Sequence, residues 1–89
     1  MREAFVCINA SPGSIEEVFE EVKACRGVLE AFRVHGVYDI IARVSGETFE
    51  ELNHIVNERI KLLDEVQTIL SMLLLESEKP VEDSKLLLV

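Results

Sequence analysis

Two helix-start signals constrain the fold of this chain more than any other feature of its sequence. Each has the Ser/Thr-x-x-Glu spacing of a capping box, in which a hydroxyl and a carboxylate satisfy free backbone amides at the start of a helix. They are Ser14 with Glu17 and Thr48 with Glu51. Apolar residues at helical spacing follow each signal: Ile15, Val18, Phe19, Val22 and Cys25 after the first, and Phe49, Leu52, Ile55, Val56 and Ile60 after the second. The sequence therefore predicts two helices, each with one apolar face.

Short apolar segments before and after these helices are typical of β-strands. They cover residues 3–10, 28–35, 38–45 and 66–76, and Gly36 with Val37 provides a short reversal between the second and the third. The order β-α-β-β-α-β predicts an α+β fold, a ferredoxin-like sandwich with a four-stranded antiparallel sheet and two helices on one face. Residues 1–76 are expected to form this domain, and residues 77–89 a C-terminal tail that ends in LLLV.

The third and fourth predicted strands are apolar on both faces. Ile40 and Ile41 are neighbours in the third strand, and in the fourth Leu70, Met72 and Leu74 alternate with Ile69, Leu73 and Leu75. Because both helices lie on one face of the sheet, the other face would expose an apolar patch in a monomer, which marks an interaction surface or an aggregation hazard. We therefore expect a homodimer in which two sheets pack face to face.

The charge balance of the chain argues against some partners. Its 89 residues include 9 Lys and Arg against 17 Asp and Glu, a net charge of −8, whereas nucleic-acid binding needs a concentrated basic surface. Direct binding to nucleic acid or to an anionic membrane is therefore not expected. No apolar run approaches the ~20 residues of a spanning helix, and the first residues lack a secretory pattern. We expect a cytoplasmic protein.

The reactive side chains do not form the pattern of a catalytic or metal site. Cys7 and Cys25 lack CxxC spacing and are expected to be buried free thiols. His35 and His54 lack the spacing of a metal-ligand pair and are expected at the surface or at an interface. No nucleophile triad, P-loop or dinucleotide motif is present in the sequence. We expect no enzyme activity, no cofactor and no metal.

The most informative polar residues lie around the predicted hairpin and in the last strand. Asp39 either caps turn amides, as Asp often does, or meets the ammonium group of a ligand. Tyr38 is either a half-buried interface ring or a site residue, and Gly36 is a turn glycine suited to positive φ. Thr68 and Ser71 either bond neighbouring backbone or line a pocket. The residues alone leave these alternatives open.

Four segments of the chain, in this order, resemble the effector-binding RAM domain of the Lrp/AsnC family of transcriptional regulators. They are AFVCINASPG, RGVLEAFRVHGVYDIIARVSG, ETFEELNHIV and VQTILSMLLLE, which together run from about residue 4 to residue 76. The most specific feature is a Gly-x-Tyr-Asp hairpin before an aliphatic strand, here Gly36, Val37, Tyr38 and Asp39. The chain departs from the family at Asp64-Glu65, where relatives often have Pro-Gly. It also has no helix-turn-helix domain before its first predicted strand, which indicates a stand-alone form.

The resemblance implies an amino-acid effector bound between dimers, next to the hairpin motif. By position, Ser71 matches a hydroxyl residue that relatives often carry near the effector, and Thr68 is a further candidate. The resemblance also implies dimers assembled into a larger ring, such as an octamer, and a regulatory role in transcription or amino-acid metabolism, including co-assembly with DNA-binding relatives. Two alternatives share the fold. One is a cofactor-free enzyme of the dimeric α+β barrel type that uses His35, Tyr38 or Asp39, and the other is an assembly module that needs no ligand.

Overall fold

A computed structural model of the chain describes residues 2–74. Its elements are β1 (Arg2–Ala10), α1 (Ile15–Ala24), β2 (Val28–Arg33), β3 (Ile40–Gly46), α2 (Phe49–His54), a π-helical segment (Ile55–Ile60) that continues α2, and β4 (Val66–Leu74). The strands form one sheet in the order β2-β3-β1-β4, and every neighbouring pair is antiparallel. The predicted α+β fold is confirmed. The expected strand residues 75 and 76 and the tail 77–89 lie outside the described residues.

The core lies between one face of the sheet and the two helices. Alternate residues of the central strands are buried because successive side chains of a strand point to opposite faces. The sheet contributes Ala4, Val6, Ile8, Ala10, Ile40, Ala42 and Val44, and the helical segments contribute Val18, Val22, Leu52, Ile55, Val56 and Ile60. Phe49 was expected on this apolar face but is exposed, and its ring lies 4.1 Å from the guanidinium carbon of Arg2. Its position in the first turn of α2 places it at the rim of the sheet.

The two predicted capping boxes behave differently. Thr48 Oγ1 accepts a hydrogen bond from Glu51 N at 3.1 Å, so the second helix start is confirmed. Glu51 Oε1 accepts in turn from Glu47 N at 2.8 Å, one residue earlier than the pattern predicts. The first box is wrong, because Ser14 makes no side-chain cap bond and its backbone has φ −115° and ψ 7° rather than an extended conformation. Glu17 is therefore an exposed residue of α1.

The connection between β2 and β3 is longer than predicted. It covers residues 34–39 rather than Gly36 and Val37 alone, and the bond from Val34 N to the Asp39 carbonyl at 3.0 Å closes it. Gly36 is not among the residues with positive φ, so the expected conformation of this glycine is wrong. A longer loop explains the difference, since a six-residue connection reverses the chain without the special backbone that a two-residue turn requires.

The sheet face opposite the helices combines apolar and charged rungs. One rung across the four strands consists of Phe32, Ile41, Cys7 and Leu70. The next consists of Glu30, Arg43, Phe5 and Met72. Phe32, Leu70 and Met72 are each about half exposed, at 50%, 46% and 49%. We call this the open face. It carries the expected apolar side chains, but it is more polar than the sequence pattern indicated.

Candidate functional site

Asp39 connects the hairpin loop to the central strand β1. Its backbone N donates to the Ile8 carbonyl at 3.0 Å, and its carboxylate Oδ2 accepts from Ala10 N at 3.0 Å. The side chain is half-buried, and a bond from a backbone amide to a carboxylate is one of the stronger kinds in proteins. Asp39 therefore binds the amide at the end of β1 rather than an amide of its own turn, and its contact with a ligand stays a prediction. This bond uses Oδ2, and no bond to Oδ1 is recorded within residues 2–74.

The three residues before Asp39 form an accessible loop surface. Gly36 is exposed, and a Cβ atom added to it would meet no atom within 4 Å. Val37 is the most exposed of the large apolar residues in the described chain, at 84%, and Tyr38 is half-buried. An apolar side chain this exposed beside a partly buried ring is a surface that a small molecule or a neighbouring subunit can cover.

Thr68 lies at the same end of the sheet as Asp39, two strands away, and bonds to a polar residue that the sequence analysis missed. Asn9 Nδ2 donates to Thr68 Oγ1 at 3.1 Å across the β1–β4 pair. Asn9 is followed in β1 by Ala10, whose amide binds Asp39, so Asp39, Asn9 and Thr68 occupy one end of the sheet. The signal in the sequence was a single polar residue inside the otherwise apolar segment 4–10.

Ser71 lies apart from this cluster. It pairs with Val6, whose side chain is in the core, whereas Thr68 pairs with Asn9 on the open face. Residues that pair across antiparallel strands share a face of the sheet, so the two hydroxyls of β4 lie on opposite faces. Within one subunit Thr68 and Asp39 thus lie at one end of the sheet on either side of β1, and Ser71 faces the helix side of β4.

A groove with a volume of about 310 Å³ lies elsewhere, between α1 and the edge strand β2. It is lined by Phe19, Lys23, Val28, Leu29, Glu30 and Ala31. The predicted site residues do not line it. This groove and the hairpin cluster are therefore different places on the subunit.

The histidines and cysteines of the described chain do not form a reactive cluster. His35 is in the exposed loop, and His54 Nδ1 lies 3.9 Å from Glu58 Oε1 on the surface of α2. Cys7 is a buried free thiol, and burial raises the pKa of the half-buried Cys25 thiol. Residues 2–74 contain no group of three or more His, Cys, Asp or Glu that could hold a metal ion.

An ion cluster lies on the open face and spans three strands. Arg43 Nε donates to Glu30 Oε2 at 2.8 Å, and Arg43 Nη1 donates to Glu3 Oε1 at 3.0 Å. These hydrogen bonds, that of Glu30 first, raise the pKa of the Arg43 guanidinium above its ordinary value. Because the two carboxylates exceed the single cation, the cluster carries one net negative charge. It fixes the charge pattern that any molecule covering the open face must match.

Comparison with known proteins identifies the family to which this fold belongs. The family model of the Lrp/AsnC ligand-binding domain matches residues 3–83. The chain belongs to the Lrp/AsnC ligand-binding domain family. A search of curated proteins found no match.

Solved structures agree with this assignment. FFRP-DM1 is 32% identical, with a TM-score of 0.81 over 84% of this chain and 100% of that chain. TTHA0845 from Thermus thermophilus is 28% identical, with a TM-score of 0.85 over 90% of this chain and 100% of that chain. The transcriptional regulator NMB0573 from Neisseria meningitidis, solved as a complex with L-Met, is 21% identical, with a TM-score of 0.77. That match covers 89% of this chain and 53% of the regulator. Because the identity is only 21%, this likeness shows the fold alone.

The described residues give no hydrogen-bonded support to the enzyme alternative. The enzyme alternative needs an acid–base pair from His35, Tyr38 or Asp39, but the structure records no hydrogen bond among these three residues within 2–74, and Asp39 Oδ2 is bonded to backbone. A general base must lie within hydrogen-bond reach of its partner or substrate. Family membership points the same way, towards an effector-binding regulatory role.

Proposed function

We propose that this protein is an amino-acid-responsive regulatory module that binds its effector at the hairpin end of the sheet. The observation that carries the proposal is the match of the Lrp/AsnC ligand-binding domain model to residues 3–83. The complex of the Neisseria regulator with L-Met supports an amino acid as the class of ligand, since that protein has the same fold. The regulated process is transcription or amino-acid metabolism, in the cytoplasm.

The proposed site combines the loop residues with the polar end of β1 and β4. Asp39 Oδ1 meets the ammonium group of the effector, while its Oδ2 stays bonded to Ala10 N. Exposed amides around Gly36 and the Asn9–Thr68 pair are the available partners for a carboxylate. Val37 and Tyr38 cover the effector's side chain, and Ser71, on the other face of β4, contributes from a second subunit. In a site shared between subunits, the second subunit supplies the surface that encloses the effector over the exposed loop.

The same proposal includes a homodimer through the open face and a larger ring built from dimers. The exposed side chains of Phe32, Leu70 and Met72 support it, because three half-exposed large apolar residues on one sheet face form a surface that association removes from water. DNA-binding members of the family are proposed as further partners that co-assemble with this chain. The chain itself is proposed to bind no DNA.

The effector is tested by thermal unfolding of the full chain against each of the twenty amino acids. A ligand at about 100 times its Kd adds ~2.7 kcal/mol to the stability of the folded state, which raises the melting temperature of a chain of 89 residues by several degrees. If no amino acid raises it, the ligand-independent assembly module becomes the better description.

Calorimetric titration with the amino acid found in this way then tests the site. Asp39→Asn keeps the shape of the side chain and removes its charge, so the affinity should fall by ~1.5–3 kcal/mol, the range for hydrogen bonds to charged groups. Glu50→Gln is the matched control, because it removes one carboxylate charge from the exposed start of α2. Equal affinities of Asp39→Asn and wild type would move the effector away from the hairpin.

The absence of DNA binding by the chain itself is tested by gel retardation with duplex DNA. At a net charge of −8, we expect no retarded band at physiological salt, because phosphate contacts require clustered cations. A salt-sensitive shift with the pure protein would contradict the proposed need for DNA-binding partners.

A further inference from the structure

The groove between α1 and β2 lies at an edge of the sheet and has no role in the proposed effector site. Phe19 and Lys23 line it from α1, four residues apart on one helix face, and Val28, Leu29, Glu30 and Ala31 line it from β2. Leu29 is 48% exposed although it is a large apolar residue. The strand β2 is an edge of the sheet in the described residues, and the outer side of an edge strand is a ready template for another extended segment.

The sequence contains one apolar segment that the family fold does not account for. Residues 86–89, LLLV, follow the polar stretch SEKPVEDSK and lie beyond residue 83, where the match to the family domain ends. Four consecutive apolar residues gain stability from leaving water, in proportion to the area they bury. They therefore favour any apolar groove that they can reach.

We propose that residues 86–89 dock in the α1–β2 groove of their own chain. The register of the sheet makes this reachable, since Val28, Val44, Ala4 and Leu73 form one rung across the four strands. The strand β4 thus ends at the end of the sheet where the groove begins. Four strands are separated by three spacings of ~4.8 Å, about 14 Å in total, whereas the linker of residues 75–85 extends to about 36 Å. The extended linker is therefore longer than the width of the sheet that it must cross.

The charge and the volume of the groove also suit residues 86–89 and the residues just before them. Lys23 lies at the α1 side of the groove, with its ammonium nitrogen 5.0 Å from the centre of the Phe19 ring. Lys23 also makes an exposed ion pair with Glu20 at 3.6 Å. Because such surface pairs contribute little stability, Lys23 can exchange this partner for the acidic pair Glu82 and Asp83 that precedes the apolar segment. The groove volume of about 310 Å³ suits a few aliphatic side chains rather than a folded partner.

Limited trypsin digestion of the full chain tests this docking directly. In residues 75–89 the lysines are Lys79, which precedes Pro80 and resists trypsin, and Lys85, which precedes Leu86. Cleavage after Lys85 releases residues 86–89 and is read as a mass change. Because cleavage follows the population of the open form, Leu29→Asp should accelerate it about tenfold, and Leu88→Asp should do the same. The double variant should cleave no faster than either single variant, since each already releases the segment.

The matched control is Leu62→Asp, the same substitution at a side chain that is 70% exposed and is not part of the groove. It should leave the cleavage rate unchanged, and circular dichroism confirms that each variant is folded. Equal rates for wild type and Leu29→Asp would overturn the proposal. Protection that weakens on dilution would overturn it as well, because the segment would then dock on a second copy of the chain.

Discussion

At the scale of single residues, Asp39 fastens the hairpin loop to the end of β1 through its side chain. Its Oδ2 holds Ala10 N at 3.0 Å. In Asp39→Ala this half-buried amide loses its partner, so the free energy of unfolding should fall by ~1–3 kcal/mol. Asp39→Asn retains an oxygen that accepts the same bond and should stay close to wild type. Urea denaturation of both variants measures the difference, and equal losses would contradict the structural role of the bond.

Glu65 gives a second prediction at this scale. It is the non-glycine residue with positive φ in the described chain, at 72°, and its carbonyl accepts from Ser11 N at 2.9 Å. The left-handed conformation costs a side-chain-bearing residue ~1–2 kcal/mol, while glycine adds flexibility to the unfolded chain that costs ~0.5–1 kcal/mol. Glu65→Gly should therefore stabilise the fold by about 0.5–1 kcal/mol in urea denaturation. Asp64→Gly, which lacks the positive φ, should not stabilise it.

Glu65 also marks how far the sequence could predict local structure. The departure from Pro-Gly at Asp64-Glu65 was visible in the sequence, and the strand after it forms as expected at Val66. The lack of a side-chain cap bond at Ser14 could not be predicted in the same way. A four-residue capping signal says nothing of the backbone before it, and here the turn at Pro12 and Gly13, the latter with φ +91°, sets the conformation of Ser14.

At the scale of elements, Gly27 governs the connection from α1 to β2. Its φ is +101°, and a Cβ atom at this position would clash with Ile55 Cδ1 of the π-helical segment. Gly27→Ala combines an unfavourable backbone with overpacking, so a loss of ~1–3 kcal/mol is expected. Gly36→Ala is the matched control, because space around Gly36 is open and its φ is not positive. Thermal and urea unfolding should separate the two variants, and a Gly27→Ala protein as stable as Gly36→Ala would contradict this close contact.

The widened turn after α2 was not predictable from periodicity. The apolar residues Leu52, Ile55, Val56 and Ile60 read as an ordinary helix face, and all four are buried as expected. The bond from Lys61 N to the Val56 carbonyl, at 2.9 Å, joins residues five apart instead of four. One such turn shifts the helix face only slightly, so the apolar pattern of the sequence does not reveal it.

At the scale of the whole molecule, the sequence predicted which strands are apolar on both faces but not the charges between them. Arg43 meets Glu3 and Glu30 because β3 lies between β1 and β2 in a particular register. A sequence gives the alternation within each strand and leaves the pairing between strands to topology. For the candidate site, too, the sequence did not give the pairing between strands. Asp39 was found from its motif, whereas Asn9 required knowledge that β1 pairs with β4 beside Thr68.

We expect two chains to form a homodimer through the open face, with an interface of roughly 2,000 Å² or more in total, as is usual for obligate pairs. Leu70 is at the β4 end of the apolar rung and is 46% exposed in one subunit. Leu70→Lys places a cation where the partner sheet would bury it, and an unpaired charge costs far more in an interface than in water. Sedimentation should therefore show a dimer or a larger assembly for wild type at low micromolar concentration and a shift to monomer for Leu70→Lys. Leu62→Lys, at 70% exposure outside the sheet, should sediment as wild type. A wild-type protein that remains a stable folded monomer at this concentration would leave the open face without its proposed partner.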